Sequence, residues 1–220
     1  MPLKSYTVRD VRLEVDERSL NASLDAALAA GRYEESEAQA LEQLLRPDDV
    51  YFELGGGLGF LSVLAWRIVR DAARIHVYEA NPDLIPVIQR TWAVNGASGQ
   101  AYNWMLGKGK GTHAFNVAKA FWASSAHIDY GNARRIKVEQ RDFLMQLEKK
   151  DATFVMMDIE GGEVDLLDEV LPDPVRCVVA EYHPRIVGEE RVHALWANLE
   201  AQGFRVAAEV SDFKVRAYAR

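Results

Sequence analysis

Two short runs place a dense set of proton acceptors directly after strongly apolar segments. In Phe154-Val155-Met156-Met157-Asp158-Ile159-Glu160-Gly161-Gly162, the hydrophobic residues give way to Asp158 and Glu160. In Val178-Val179-Ala180-Glu181-Tyr182-His183-Pro184, a second run ends in Glu181 and His183. If the runs are neighbouring strands, three carboxylates and an imidazole converge above their carboxyl ends. Such a set can remove the proton from a hydroxyl nucleophile. His183 is the natural base because imidazole titrates near neutrality, with a carboxylate to orient it. The same oxygen and nitrogen donors suit magnesium or manganese, but no fixed ligand spacing is present, so no metal is assigned. Glu163 is expected only to favour the N-terminus of the helix it begins.

A second constellation surrounds Tyr51-Phe52-Glu53-Leu54-Gly55-Gly56-Gly57-Leu58-Gly59-Phe60. An apolar strand ends at an acidic residue, and Gly55, Gly57 and Gly59 follow at alternate positions before an apolar helical stretch. Glycines there permit positive φ and let a ligand lie against the backbone, with the N–H groups of the next helix aimed at it. A dinucleotide loop requires G-x-G-x-x-G. Here the third glycine comes one position early, and Phe60 stands where that pattern wants glycine or alanine, which weakens an NAD-dependent oxidoreductase reading. The acidic-x-G-x-G-x-G form fits S-adenosylmethionine (SAM), which has no pyrophosphate. Ile75-His76-Val77-Tyr78-Glu79 then ends in a carboxylate 20 residues beyond Gly59, the spacing at which a strand-end acid accepts hydrogen bonds from ribose hydroxyls. Ala80 and Asn81 turn the chain beside it, and Met105 with Leu106 is expected near the adenine.

The elements that must position these groups alternate. Strands are expected at 50–54, 75–79, 100–105, 154–158 and 177–182. Helices are expected at 58–69, 83–94, 163–170 and 189–201, and the chain closes with strands over 204–210 and 213–219 joined at Ser211-Asp212. Alternation of this kind predicts an α/β fold with a doubly wound, mostly parallel seven-stranded sheet, and the terminal hairpin places one antiparallel strand in it. Ahead of it, Thr7–Val15 reads as an exposed strand. Helices follow at 20–30, capped by Asn21 or Ser23 and ended by Gly31, and at 33–45, stopped by Pro47. The expected organisation is one domain over 1–220, with residues 1–46 as a strand and helical cap on a core at 47–220. The interval 107–135 breaks the rhythm with Gly-Lys-Gly-Lys-Gly, Phe121, Trp122 and Ser124-Ser125, and is expected to cover the site as a loop.

Composition narrows the partners. Of 220 residues, 49% are hydrophobic and 27% charged, ordinary for a globular protein with one substantial core. A net charge of −7 disfavours a phosphate-binding surface, so nucleic acid is not expected as a partner. No apolar stretch is long enough for a membrane span and no secretory signal is visible, so a cytoplasmic location is expected. The lone cysteine, Cys177, lies in an apolar run and reads as an inert core thiol.

From Tyr33 to His183 the chain resembles the FkbM family of SAM-dependent methyltransferases. The marks are Tyr33-Glu34, Glu53-x-Gly55-x-Gly57-x-Gly59-Phe60, Glu79-Ala80-Asn81-Pro82, and Asp158-Ile159-Glu160-Gly161-Gly162-Glu163. Ser124-Ser125, the stretch Val138–Leu144 with Asp142, and Glu181 are similar as well. Glu53 and Gly56 replace the aspartate and alanine usual in the loop, and Gly162 replaces an alanine. The resemblance implies O-methylation of a hydroxyl on a sugar, polyketide or other small metabolite. Two rival readings share the fold: a nucleic-acid methyltransferase, and a SAM-binding protein without turnover.

Overall fold

The computed structural model describes residues 2–117, 134–209 and 215–220. The chain opens with a hairpin, β1 (Leu3–Val8) and β2 (Val11–Asp16), rather than the single strand expected over Thr7–Val15. Arg9 and Asp10 make its turn at φ 45° and 61°, and the Arg67 guanidinium donates to both their carbonyls, at 2.9 and 2.7 Å. Two non-glycine residues in the left-handed region carry no turn signature, which is why the hairpin reads as one strand. Helix α1 (Ala22–Ala29) is capped by Asn21, whose Oδ1 accepts from the Leu24 N–H at 2.8 Å, and α2 (Glu35–Leu44) follows.

The core then alternates as expected: β3 (Tyr51–Leu54), α3 (Phe60–Val69), β4 (Ile75–Tyr78), α4 (Ile85–Val94) and β5 (Gln100–Tyr102). The strand expected over 100–105 breaks at Asn103 and Trp104. Met105–Gly107 becomes β6 of a second, three-stranded sheet with β7 (Gly111–Val117) and β8 (Arg134–Asp142), in the order β6-β8-β7. Part of the interval expected to be irregular is therefore an antiparallel ladder running from Gly111↔Gln140 to Val117↔Arg134. Phe121, Trp122, Ser124 and Ser125 lie outside the described residues, as does the Ser211-Asp212 turn. Helix α5 (Phe143–Lys150) was not expected, although its signals are present: Asp142 Oδ1 accepts from the Met145 N–H at 2.9 Å, and Lys149 and Lys150 occupy its last turn. The chain continues with β9 (Phe154–Met157), α6 (Glu163–Leu166), β10 (Cys177–Glu181), α7 (Pro184–Val187), α8 (Glu189–Ala201), β11 (Arg205–Glu209) and β12 (Val215–Ala219). The helix expected over 163–170 thus stops at Leu166.

The main sheet has seven strands in the order β11-β12-β10-β9-β3-β4-β5, all parallel except β12. Strand alternation divides the core. Tyr51, Val77, Phe154, Met156, Cys177 and Val179 pack with α2, α3, α4 and the N-terminal hairpin, while Phe52, Leu54, Val155, Met157, Val178 and Ala180 pack with α5, α6 and α8. Fully burying each aliphatic or aromatic side chain contributes about 1.5–3 kcal/mol. Cys177 is buried in the first cluster, and burial pushes its thiol up to about 12, as an inert core thiol requires.

At the amino edge of the sheet, Asp49 gathers four donors. The Arg176 guanidinium pairs with both its oxygens, Thr153 Oγ1 donates at 2.7 Å, and the Arg46 N–H donates at 2.7 Å. The buried Asp49 charge is thus matched within the fold.

Candidate active site

A cavity of about 1050 Å³ opens over the carboxyl ends of β3, β4, β9 and β10. This is where an open α/β sheet binds ligands, since adjacent crossovers diverge there. One wall is the glycine loop. Gly55, Gly57 and Gly59 all have positive φ, at 86°, 50° and 77°. At Gly55 a Cβ would stand 1.9 Å from the Asp158 carbonyl oxygen, so the loop can only lie against the end of β9 without a side chain. Gly56 is closed for a different reason, because its Cβ would meet Val77 Cγ1 at 2.4 Å and Ile88 Cδ1 at 2.8 Å.

Glu79 sits just past β4, 7% exposed. Its Oε2 accepts from the Gly57 N–H at 3.2 Å and its Oε1 from the Asn81 N–H at 2.7 Å, tying the loop to the second strand. Burial pushes its carboxyl up to about 7, against the pull of the backbone N–H groups of Asn81, Gly57 and Ala80. Asn103 Nδ2 donates to the Glu79 and Ala80 carbonyls at 2.9 and 3.1 Å. Tyr78, Ala80, Trp104, Met105, Leu106 and Phe115 form an apolar wall next to Glu79.

Of the loop and turn residues singled out in the sequence, Gly55, Gly57, Glu79, Ala80 and Met105 line the cavity. Five others stand behind that wall. Leu58 and Phe60 are buried in the core, with the Phe60 ring 5.8 Å from that of Tyr33. Gly59 caps α3, and Asn81 Oδ1 accepts from the Asp83 N–H at 3.1 Å. Glu53 shares the inner face of β3 with Tyr51 and is 2% exposed. Burial first, and the charge of Glu34 second, raise its carboxyl well above the usual carboxylate range.

The opposite wall carries the strand-end cluster, and the two runs are neighbours: β9 pairs with β10 in register Met157↔Ala180. His183 Nε2 lies 3.7 Å from Asp158 Oδ1, 3.5 Å from Glu160 Oε2 and 3.8 Å from Glu181 Oε1. The four residues singled out as proton acceptors therefore do converge. Burial, followed by the charges of Glu181, Glu163, Glu37 and Glu160, raises Asp158 well above the usual carboxylate range. Burial is also the largest single influence on His183 and pulls it down, but the hydrogen bond and charge of Glu163 and the charges of Glu181 and Glu160 outweigh it. The imidazole is held above its ordinary value.

Three contributors escaped the sequence reading. Glu163 is wholly buried; its Oε1 accepts from the Ile159 N–H at 2.8 Å and its Oε2 from the Gly161 N–H at 2.9 Å, while Oε1 stands 3.5 Å from His183 Nδ1. It therefore organises the loop that carries Asp158 and Glu160. The signal was the Asp-x-Glu-Gly-x-Glu spacing together with Gly161, whose φ of 105° allows the chain to fold back over the acid. Glu34 and Glu37 enter the cavity from α2. Glu34, at φ 48°, is pushed up to about 8 by burial and then by Glu37.

Residues 54–206 match the family described as the methyltransferase FkbM domain. No curated protein matches the chain. Among solved structures it is similar to a putative transferase of Pyrococcus horikoshii at 10% identity, covering 99% of this chain and 72% of that one with a TM-score of 0.53. It is also similar to P. horikoshii TYW2 in complex with MeSAdo, at 10% identity over 98% and 69% of the two chains with a TM-score of 0.51. A third likeness is to the Pyrococcus abyssi tRNA (uracil-54, C5)-methyltransferase in complex with S-adenosyl-L-homocysteine, at 11% identity over 100% of this chain but 44% of that one, with a TM-score of 0.50. At such identities these likenesses establish the fold.

Proposed function

The chain belongs to the methyltransferase FkbM domain family, and on that premise we propose that it transfers the methyl group of SAM to a hydroxyl of a small, uncharged or cationic metabolite. The observation that carries this reading is a single cavity with two unlike walls: a glycine loop with Glu79 and apolar side chains on one side, and Asp158, Glu160, Glu181 and His183 on the other. The first wall suits a nucleoside. Glu79 would hold the ribose hydroxyls and the apolar side chains by Met105 and Leu106 the adenine, leaving the second wall to take the acceptor.

Transfer is an in-line displacement. When bound, SAM would supply its methyl group to the acceptor oxygen, with the carbon–sulfur electron pair left on sulfur, and the acidic cluster with His183 would take up the hydroxyl proton. The cofactor supplies the reactive methyl, and the chain supplies position, exclusion of water and the proton acceptor. The candidate proton acceptors are His183 and the carboxylates of Asp158, Glu160 and Glu181 that face its Nε2. Carboxylates on this wall would repel a phosphodiester, which supports a small acceptor over nucleic acid.

The test joins a calorimetric titration with SAM to a turnover screen on hydroxylated metabolites. Glu181→Gln and His183→Ala should bind SAM as the wild type does but turn over about 10²–10⁴-fold more slowly. Full rates in both variants on the true acceptor would place the chemistry elsewhere, and methylation of tRNA in preference to every metabolite would replace the acceptor class.

A further inference from the structure

His183 is placed unlike an ordinary buried histidine. Its side chain is only 10% exposed, yet its Nδ1 reaches Glu163 Oε1 only at 3.5 Å, and Asp158 Oδ1 has no hydrogen-bond partner among the described residues. A buried imidazole normally closes at least one hydrogen bond, because leaving it open forfeits the hydration it gave up. Here Nε2 instead faces carboxylate oxygens of Asp158, Glu160 and Glu181, the nearest at 3.5 Å. On the other side of the ring, Glu163 Oε1 stands 3.5 Å from Nδ1, itself fixed by the Ile159 N–H. A carboxylate behind one ring nitrogen, with the other nitrogen aimed into a set of oxygen donors, is the arrangement by which proteins orient a metal-ligating histidine.

The spacing agrees. Donor atoms of Asp158, Glu160 and His183 all lie within 4.8 Å of one another. Around an ion bound at about 2.1 Å, neighbouring donors of a six-coordinate shell stand about 3.0 Å apart and opposite ones about 4.2 Å. Bringing the His183–carboxylate distances of 3.7, 3.5 and 3.8 Å to the spacing of neighbouring donors takes less than an ångström each, and an entering cation supplies the force by neutralising the carboxylates. Glu181 completes a set of three oxygens and one nitrogen. The imidazole disfavours calcium and magnesium, and the oxygens disfavour copper(I), which leaves a first-row divalent ion of the manganese type.

We propose that Asp158, Glu160, Glu181 and His183 bind one divalent transition-metal cation at the acceptor end of the cavity, with Glu163 as the positioning residue behind His183. This deepens the proposed function and rests on its reading of the cluster as the acceptor side. The ion would hold the acceptor's oxygen and offset the charge of the carboxylates around it.

Titration of the full chain with Mn²⁺, followed by electron paramagnetic resonance without SAM or acceptor, should show one bound ion. Asp158→Asn and His183→Gln should each weaken it about tenfold or more, while Glu169→Gln, a surface carboxylate, should leave it unchanged. Should either variant misfold, the wild type still decides, because Mn²⁺ in this site must selectively broaden the imidazole proton resonances of His183. The absence of binding at about 1 mM Mn²⁺, affinity unchanged in both variants, or unbroadened His183 signals would each overturn the proposal. Wild-type turnover undiminished in EDTA, with Glu181→Gln still slow, would remove the ion while leaving the proton-acceptor reading in place.

Discussion

Replacing Glu163 by alanine tests whether the loop carrying Asp158 and Glu160 is held by one buried acid. Glu163 is fully buried and accepts two backbone N–H bonds, from Ile159 at 2.8 Å and Gly161 at 2.9 Å. Alanine leaves both donors buried without an acceptor, at about 1–3 kcal/mol each, or about 2–6 kcal/mol together. Part of this is returned, because the Glu163 charge also disfavours ionised Asp158. A net loss of about 2–4 kcal/mol is therefore expected. Glutamine keeps one carbonyl oxygen for one of the two N–H groups, so Glu163→Gln should fall between wild type and alanine. Urea denaturation measures this directly as a fall in midpoint at constant slope. Methyl transfer should fall in step, because the loop that places Asp158 loosens, while SAM affinity changes little. A stability loss under about 1 kcal/mol in Glu163→Ala would mean that the loop is held by something else, since no reorganisation short of exposing both N–H groups makes them so cheap.

Glu79→Ala removes the anchor of the Gly57 and Asn81 N–H groups together with the proposed ribose acceptor. SAM affinity should drop by about 2–4 kcal/mol in a variant whose circular dichroism is native, and unchanged affinity there would dismiss the ribose assignment. Gly55→Ala drives a Cβ to 1.9 Å from the Asp158 carbonyl oxygen at φ 86°. Calorimetry should find SAM binding abolished, and native affinity would show that loop and strand end can part at no cost. Glu34, raised from 4.5 to about 8, keeps its proton in the folded chain while the unfolded chain has lost it. Its contribution therefore falls as pH rises from about 4.5 to about 8 and levels off above that. Glu34→Gln should flatten the decline in melting temperature across that window, and an identical slope would refute the assignment.

What could be read in the sequence was whatever local chemistry determines. The glycine loop, the carboxylate ending β4 and the apolar runs of β9 and β10 each carry their signature within about ten residues, and alternation was enough to announce a mostly parallel seven-stranded sheet with one antiparallel strand, though not its strand order. The losses have physical causes. The Arg9-Asp10 turn contains no glycine or asparagine to announce it and is held by Arg67 from a distant helix. The second sheet depends on β8 pairing with β6 on one side and β7 on the other, a tertiary choice that no local pattern announces. Glu34 and Glu37 enter the site from a helix more than a hundred residues before His183. Behind the glycine loop, Leu58 and Phe60 share the motif but serve the core, because the helix they begin turns them away from the cavity.

The two edges of the sheet show why this acidic end calls for a cation. At the amino edge, Asp49 is matched by Arg176, Thr153 and the Arg46 N–H, so a buried charge is compensated within the fold. At the carboxyl edge Glu34, Glu53 and Asp158 are all raised, by burial first and by the charges of neighbouring glutamates after it, and Glu160 takes a left-handed backbone at φ 55° to bring one more acid in. Like charges crowded in a low dielectric cost stability, and His183 sets an imidazole among them. Packing does not require this, because the same strands form a complete core one residue earlier. An arrangement that costs the folded chain free energy, at the mouth of a cavity large enough for a nucleoside and an acceptor, fits a site completed by what it binds. The sulfonium of SAM is one positive charge for it. A metal ion would be another.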